Sequence, residues 1–503
     1  MTGNTRAAPP RAGAMLEALR GLGYSTGAAL ADIVDNSISA KASQVDIVFA
    51  WAGSKSSVSV LDDGRGMHDE ELQSAMTLGD KSPLDTRDAG DLGRFGMGLK
   101  TASLSQCRRL TVGTARDGAH SCLRWDLDEL MKDPTGGWLL FEGPAAGSDS
   151  HFNALAEKEH GTLVLWEEMD RIVTQGYTSA DYLDLIDSVE AHLAMVFHRL
   201  LDGPKPRLRL TINGKLVEPW DPFMMGHPAK TWNSPVERFR SDSGVVAVEC
   251  HVLPHKDKLS PGDFSRGAGE SGWNAQQGFY VYRNERLLVA GGWLGLGQGR
   301  AWNREEAFRL ARIRLDIPNT ADADWKIDIR KSTARVPVSI RPWLTRFAED
   351  TRDRARKVFA FRGAPIAPRG SAPIEMAWRT DHGSSGARFR IDEKHPAVAA
   401  VLDACADQGE LIRAMLRVLE ETVPVQRIWL DTAENKTTPR TGFSGETDES
   451  VSKVLRTLYN DMVGRKGMGA ELARKALLST EPFQNYPALV ERLGDEASTQ
   501  AAS

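Results

Sequence analysis

The chain has 503 residues with a formal net charge of −5, so two or three domains are expected, and a protein coated in basic surface is excluded; any nucleic-acid contact has to be a local patch. Its four cysteines, Cys107, Cys122, Cys250 and Cys405, are scattered with no Cys-x-x-Cys, which excludes a zinc module or disulfide framework and fits a reducing cytoplasm. Residues 1 to 14 carry Arg and Pro without an apolar core, and no apolar run approaches membrane-spanning length, so a cytoplasmic protein with no membrane contact is expected.

After a short arm, Arg11 to Leu22 reads as a helix ended by Gly21 and Gly23. Ser25 or Thr26 can cap the next helix, Gly27 to Ala40. There Asp32 and Asn36 are four residues apart and share a face. Val45 to Ala50 and Ser57 to Leu61 read as a hairpin, and His68 to Met76 as a helix with acids in its first turn. A polar loop, Gly79 to Ala89, leads into Gly90-Asp-Leu-Gly93-Arg-Phe-Gly96-Met-Gly98-Leu-Lys100. Four glycines in nine residues let backbone turn tightly and approach a ligand closely. Leu99 to Gln106 reads as a helix start, whose free N–H groups, with Lys100, suit a polyphosphate. Taken alone, such a cluster is more often a plain turn. It is not a P-loop, because no Gly-Lys-Ser/Thr closes it, and no apolar strand feeds it as a dinucleotide fingerprint requires.

Arg109 to Thr114, Ser121 to Asp126 and Thr162 to Glu167 are further strands, and Asp181 to Leu201 is a long helix. A layered sheet with helices on one face is expected. Asp202-Gly-Pro-Lys-Pro206 marks a boundary. A second set of strands is expected from Arg207 to Ile212, with an Asn213-Gly214 turn, continuing through Gly244 to Leu253, Gly278 to Tyr282, Arg286 to Ala290 and Arg309 to Ile317; a helix, Val338 to Phe361, ends it. Residues 362–390 are rich in Pro, Gly and Ser and read as a linker. Residues 391–503 are mostly helical in pattern.

Three features recur in order within about seventy residues: Asp32-xxx-Asn36, then Asp62-Asp-Gly64-Arg-Gly66-Met67 after a strand, then the glycine stretch. Together they resemble the GHKL ATPases: gyrase, the large heat-shock chaperones, sensor histidine kinases and MutL. The wording of Leu30-Ala-Asp-Ile-Val-Asp-Asn-Ser-Ile-Ser-Ala40 and Gly93-Arg-Phe-Gly-Met-Gly-Leu-Lys100 is most similar to the MORC branch and its bacterial relatives. Tyr280-Val-Tyr-Arg-Asn284-Glu-Arg-Leu287 resembles the strand–turn–strand of the β/α transducer domain that follows the ATPase in those proteins.

The resemblance implies an α/β sandwich of the Bergerat type over residues 1–205, a transducer over 206–361, and a helical C-terminal region. It implies ATP and Mg²⁺ as ligands. Asp32 takes the place of a general base that is usually Glu; Asp is shorter by one carbon, which moves its oxygens by roughly 1.5 Å. Asp35, on a different helix face, ranks second for that role. Asn36 would offer a neutral oxygen to Mg²⁺. Asp62 would accept from the exocyclic amine of adenine, with Gly64, Gly66 and Met67 beside the base and Thr162 on a neighbouring strand. Gly93, Arg94, Phe95, Gly96, Met97, Gly98, Leu99 and Lys100 would form a lid over the phosphates, with Lys81 near them. Lys331 sits where such transducers carry a lysine for the γ-phosphate. Lys326 and Arg330 are its rivals, and period-two alternation sets Lys331 on one face with Ile327 and Ile329.

The activity implied is hydrolysis of ATP to ADP and phosphate by an ATP-gated homodimeric clamp. Its expected partners are DNA and, in a restriction–modification or phage-defence system, a nuclease or methyltransferase. A chaperone-like ATPase acting on protein clients, or a nucleotide-binding regulatory module with little turnover, are the competing readings.

Overall fold

The computed structural model describes residues 10–80, 98–133, 135–241, 244–322, 324–328, 331, 333–360, 375–383, 386–428 and 448–493. The chain divides into two compact units, Met1–Gly363 and Ala364–Ser503.

The first unit begins with helices α1 (Ala12–Leu19) and α2 (Thr26–Ser39). The Ser25 hydroxyl caps α2 by accepting from the Ala28 amide at 3.2 Å, which satisfies one donor that the helix start would otherwise leave open. Ala29, Leu30, Ile33 and Val34 point α2 into the main core. Strands β1 (Gln44–Ala50) and β2 (Ser57–Asp62) pair antiparallel, with Val45 opposite Asp62. Next come α3 (Asp69–Met76), α4 (Gly98–Leu104), β3 (Arg109–Arg116), β4 (Ala119–Asp126), α5 (Leu127–Lys132), β5 (Phe141–Glu142), α6 (Asn153–Ala156), β6 (Gly161–Glu167), α7 (Ser179–Val196), α8 (His198–Leu201), β7 (Arg209–Ile212) and β8 (Lys215–Leu216).

These strands form one eight-stranded sheet in the order β5-β4-β3-β6-β2-β1-β7-β8. The period-two pattern of β6 explains its layers. Val164 and Trp166 join the main core beneath α2 and α7, while Leu163 and Leu165 join a small cluster with Leu155 and Ala115 on the opposite side. The strand expected to open the second set therefore belongs to the first sheet. β7 runs parallel to β1, with Val45 opposite Leu210 and Ile47 opposite Ile212. Burial is the cause: Leu208, Leu210 and Ile212 lie in the same core as Val45 and Ile47. The Asn213-Gly214 pair, at φ 48° and 79°, turns β7 into β8.

The second sheet holds β9 (Trp232–Asn233), β10 (Glu237–Ser241), β11 (Gly244–Val252), β12 (Gly278–Arg283), β13 (Arg286–Ala290) and β14 (Ala311–Asp316). Its order is β10-β11-β14-β12-β13, with β9 beside β11. β12 and β14 are parallel, and the other pairs antiparallel. Short helices α9 (Pro261–Ala268) and α10 (Gly272–Ala275) precede β12. Helix α11 (Arg341–Ala360) covers β11 and β14 through Leu344, Ala348, Thr351 and Ala355, a helical stripe. Asn284 and Glu285, both left-handed at φ 48° and 67°, close the two-residue turn from β12 to β13.

In the second unit the expected linker is partly a hairpin: β15 (Trp378–Gly383) pairs antiparallel with β16 (Gly386–Ile391). Helices α12 (Pro396–Ala404) and α13 (Gly409–Thr422) follow, then helices at Asp448–Asn460, Ala470–Leu478 and Pro487–Glu491. Val451, Leu455, Leu477, Phe483 and Val490 form this unit's core. Among the described residues no helix is long and apolar enough to cross a membrane.

Candidate functional site

Helix α2 carries both ends of the site. At one end its Ser37 hydroxyl donates to Asp62 Oδ2 at 2.7 Å. The other oxygen, Asp62 Oδ1, accepts from the backbone amides of Gly64 at 2.9 Å and Thr162 at 3.2 Å. Asp62 ends β2 opposite Thr162 of β6. Burial pushes the Asp62 carboxyl up, and these three donors only partly offset it. Beyond it the chain passes close beneath β3. Gly66 has φ 66°, and a Cβ there would meet the Ala115 carbonyl oxygen at 1.9 Å. The next residue, Met67, is fixed by its amide donating to Thr114 Oγ1 at 2.8 Å. Its side chain is half-buried against the main core. Gly64 is equally confined, with Ala40 Cβ 2.9 Å from the position a Cβ would take.

At the other end four charged side chains meet. Asp32 and Asp35 are 4% and 1% exposed. Lys331 donates to Asp32 Oδ1 at 3.0 Å and to Asp35 Oδ2 at 2.5 Å. Arg286, from the start of β13, donates through Nε to both oxygens of Asp35, at 3.3 and 3.2 Å, and its Nη2 lies 3.8 Å from Asp32 Oδ1. The Tyr24 hydroxyl holds the remaining oxygen, Asp32 Oδ2, at 3.1 Å. Burial raises the Tyr24 hydroxyl's pKa and the Asp32 charge adds to it, which keeps the tyrosine a donor. Burial also works against the Asp35 charge, but Arg286 and then Lys331 outweigh it and hold that carboxyl below the ordinary range. Two buried anions thus balance a buried arginine and a mostly buried lysine. The α4 start abuts them, since the Cβ position of Gly98 is 3.8 Å from Asp32 Oδ2. Asn36, one turn on from Asp32, is exposed.

Lys331 makes this contact from a turn rather than from the strand face that alternation predicts. Its φ is 53°, and its amide donates to the Asp328 carbonyl at 3.0 Å. Lys326 is exposed, and Arg330 lies outside the described residues. Lys81, Gly93, Arg94, Phe95, Gly96 and Met97 lie outside them too. Leu99 is half-buried against the main core. Lys100, also expected to face phosphate, points inward in this structure. It is 2% exposed, and its Nζ donates to the carbonyls of Ala75 at 2.8 Å and Thr77 at 2.9 Å. The C-terminal carbonyls of α3 lack intrahelical donors and attract a cation, so the lysine is drawn there.

Sequence reasoning missed Arg286, Tyr24 and Ser37. Arg286 stands within the transducer-like segment, but nothing local signals that it meets Asp35.

Between the two ends the chemistry suits an adenine nucleotide. Asp62 is a buried acceptor at one end, and Gly66 lets the chain after it pass directly against the Ala115 carbonyl, where no Cβ fits. Among the described residues no group of three His, Cys, Asp or Glu could hold a metal ion by itself. The single exposed amide of Asn36 fits Mg²⁺ that keeps phosphate and water oxygens as its other ligands.

Residues 24–162 match the family described as histidine kinase-, DNA gyrase B-, and HSP90-like ATPase. That segment contains α2, Asp62, Gly66, α4 and the start of β6. The fold and this match place a GHKL-type ATPase domain over that segment. The chain is also 32% identical over 276 residues to ATPase morc-1 of Caenorhabditis elegans, an alignment covering 46% of this chain and 31% of that protein. The chain is thus similar to a MORC ATPase, and it spans less than a third of the length of the curated relative it matches.

Proposed function

We propose that this chain binds ATP with Mg²⁺ and hydrolyses it to ADP and phosphate. The observation that carries the reading is the meeting of Asp32 with Lys331, residues 299 apart in sequence, at 3.0 Å. A carboxylate able to take a proton from water and a lysine able to balance γ-phosphate charge are the two side chains the reaction needs together.

Asp62 accepts from the adenine amine, which favours adenine over guanine, and Gly64, Gly66, Met67 and Thr162 shape the seat of the base. The Tyr24 hydroxyl fixes one oxygen of Asp32. The other oxygen orients the attacking water and takes its proton once Lys331 has moved to the γ-phosphate. Gly98, with the lid residues before it, closes over the phosphates. Asn36 would hold Mg²⁺, which would neutralise phosphate charge when bound. After phosphate leaves, Lys331 returns to the two carboxylates. The Lys331 ammonium occupies the proton-accepting oxygen of Asp32 in this state, which also favours the second reading, a nucleotide-binding module with slow turnover.

The wider role rests on the likeness to MORC proteins. ATP closes two copies at their N-terminal domains, DNA is held in the clamp, and a nuclease or methyltransferase of a restriction–modification or phage-defence system acts alongside. Calorimetric titration of the whole chain with ATP, ADP and GTP in magnesium tests the site, and turnover with and without plasmid tests the partner. The expected result is ATP binding at least about tenfold tighter than GTP, with plasmid-stimulated turnover. No heat with ATP and magnesium would overturn the nucleotide reading; turnover indifferent to plasmid would overturn the DNA clamp.

A further inference from the structure

The nucleotide reading gives Lys331 a reason to move but leaves Arg286 without a task. We propose that Arg286 is a positioning residue for nucleotide sensing: it holds Asp35 so that Lys331 can leave the two carboxylates for the γ-phosphate. This inference rests on the ATP reading above and names what makes ATP distinguishable from ADP.

The two cations are held differently. Arg286 opens a paired strand, opposite Arg283. Its Nη1 donates to the Leu287 carbonyl at 2.7 Å while its Nε spans both oxygens of Asp35. A guanidinium anchored at two points by strand pairing and by its own backbone stays in place. Lys331 stands on a left-handed turn, φ 53°, with its ammonium shared between two acids. It is the cation that can be transferred.

Transfer has a condition. Asp35 is 1% exposed, and a buried carboxylate stripped of its partner is strongly unfavourable. When Lys331 departs, Asp35 keeps Arg286 at 3.2 Å, and Asp32 keeps the Tyr24 hydroxyl at 3.1 Å. Without Arg286, Lys331 would be the sole counter-charge for two buried acids and would stay on them. A γ-phosphate would then gain nothing from it. ADP, which lacks that phosphate, would bind as before. Arg286 thus sets the preference for ATP over ADP from beside both acids, with Nε on Asp35 and Nη2 3.8 Å from Asp32 Oδ1.

The test compares the affinities of a non-hydrolysable ATP analogue and of ADP, both with magnesium, by calorimetry on the full chain. Wild type is expected to prefer the analogue. Arg286→Met is expected to cut that preference by about tenfold or more, with ADP affinity within about threefold of wild type. Arg286→Lys keeps the charge and is expected to restore most of the preference. The double variant Arg286→Met with Asp35→Asn removes a matched pair of charges and is expected to recover the preference as well. That recovery is an effect that loss of packing alone would not produce. Should Arg286→Met not fold, Arg286→Gln and the double variant carry the same comparison. An unchanged preference in the neutral variants, or a double variant no better than the single, would overturn the inference while leaving the nucleotide reading intact. A wild type that binds neither nucleotide would overturn both.

Discussion

Gly66 admits no other residue. Its φ of 66° is left-handed, and the Ala115 carbonyl oxygen would stand 1.9 Å from an added Cβ, with the Gly161 carbonyl at 3.2 Å. Neither obstacle is a flexible side chain, so the strand-crossing loop would have to shift. Gly66→Ala is expected to lower stability by about 2 kcal/mol or more and to weaken adenine-nucleotide binding with it. Thermal melts and calorimetry on the same preparation check this, and a variant with wild-type values in both would contradict the packing described here. At this scale the sequence was most legible where the geometry is local. Asp32 and Asn36 share a face because helix spacing puts them there. Asp62, Gly64 and Gly66 follow from one strand end. Arg286 was not legible, because its partner lies 251 residues away and nothing in a hairpin sequence names the acid it will meet. Lys331 was singled out by its place in the transducer-like region, and strand alternation set it with Ile327 and Ile329, yet it arrives on a turn.

Among the elements, α3 and α4 show how a residue of a motif can serve the fold. The last carbonyls of α3 accept from two side chains, Lys100 and Trp125. Lys100 binds Ala75 and Thr77, and the Trp125 indole donates to Met76 at 3.0 Å. Lys100 thereby ties the first turn of α4 to the end of α3. A hydrogen bond from a charged donor contributes about 1.5–3 kcal/mol, so Lys100→Met is expected to lower the melting temperature clearly, with ADP affinity within about threefold of wild type. A variant that melts like wild type but no longer binds nucleotide would return Lys100 to the phosphates. The elements misread from sequence share one cause. The strand Arg209–Ile212 follows a Pro-rich boundary, which suggested a new domain, but its apolar residues fit the open flank of β1. The β15–β16 hairpin lies in Gly- and Ser-rich sequence whose composition outweighed its pairing signal. Local composition does not report which sheet edge is unfilled.

At the level of the whole molecule, two buried histidines and a half-buried one tie stability to pH. Burial, then the Arg286 charge, pushes His192 down to about 4. Burial and neighbouring cations push His198 and His251 down to about 3. His198 is also bonded to the Tyr282 hydroxyl at 2.7 Å. An unfolded histidine takes up a proton near pH 6.5, roughly its ordinary value. Below that pH the unfolded chain binds more protons than the folded one, so the stability these residues contribute is present above about 6.5 and is lost as pH falls toward 4. Each contributes a slope of at most about 1.4 kcal/mol per pH unit. Melts of the first unit's transition at pH 7.5, 6.5 and 5.5 are expected to fall most steeply over the last step. A flat profile would mean that these rings are solvated.

The account as a whole depends on Asp32 being the proton acceptor in a site completed by Lys331. Phosphate release from ATP and magnesium, measured on wild type and on Asp32→Asn at equal nucleotide occupancy, addresses that directly. The account predicts sustained release by the wild type and a loss of about a hundredfold or more in the variant, with nucleotide still bound. Equal rates in the two proteins would contradict it.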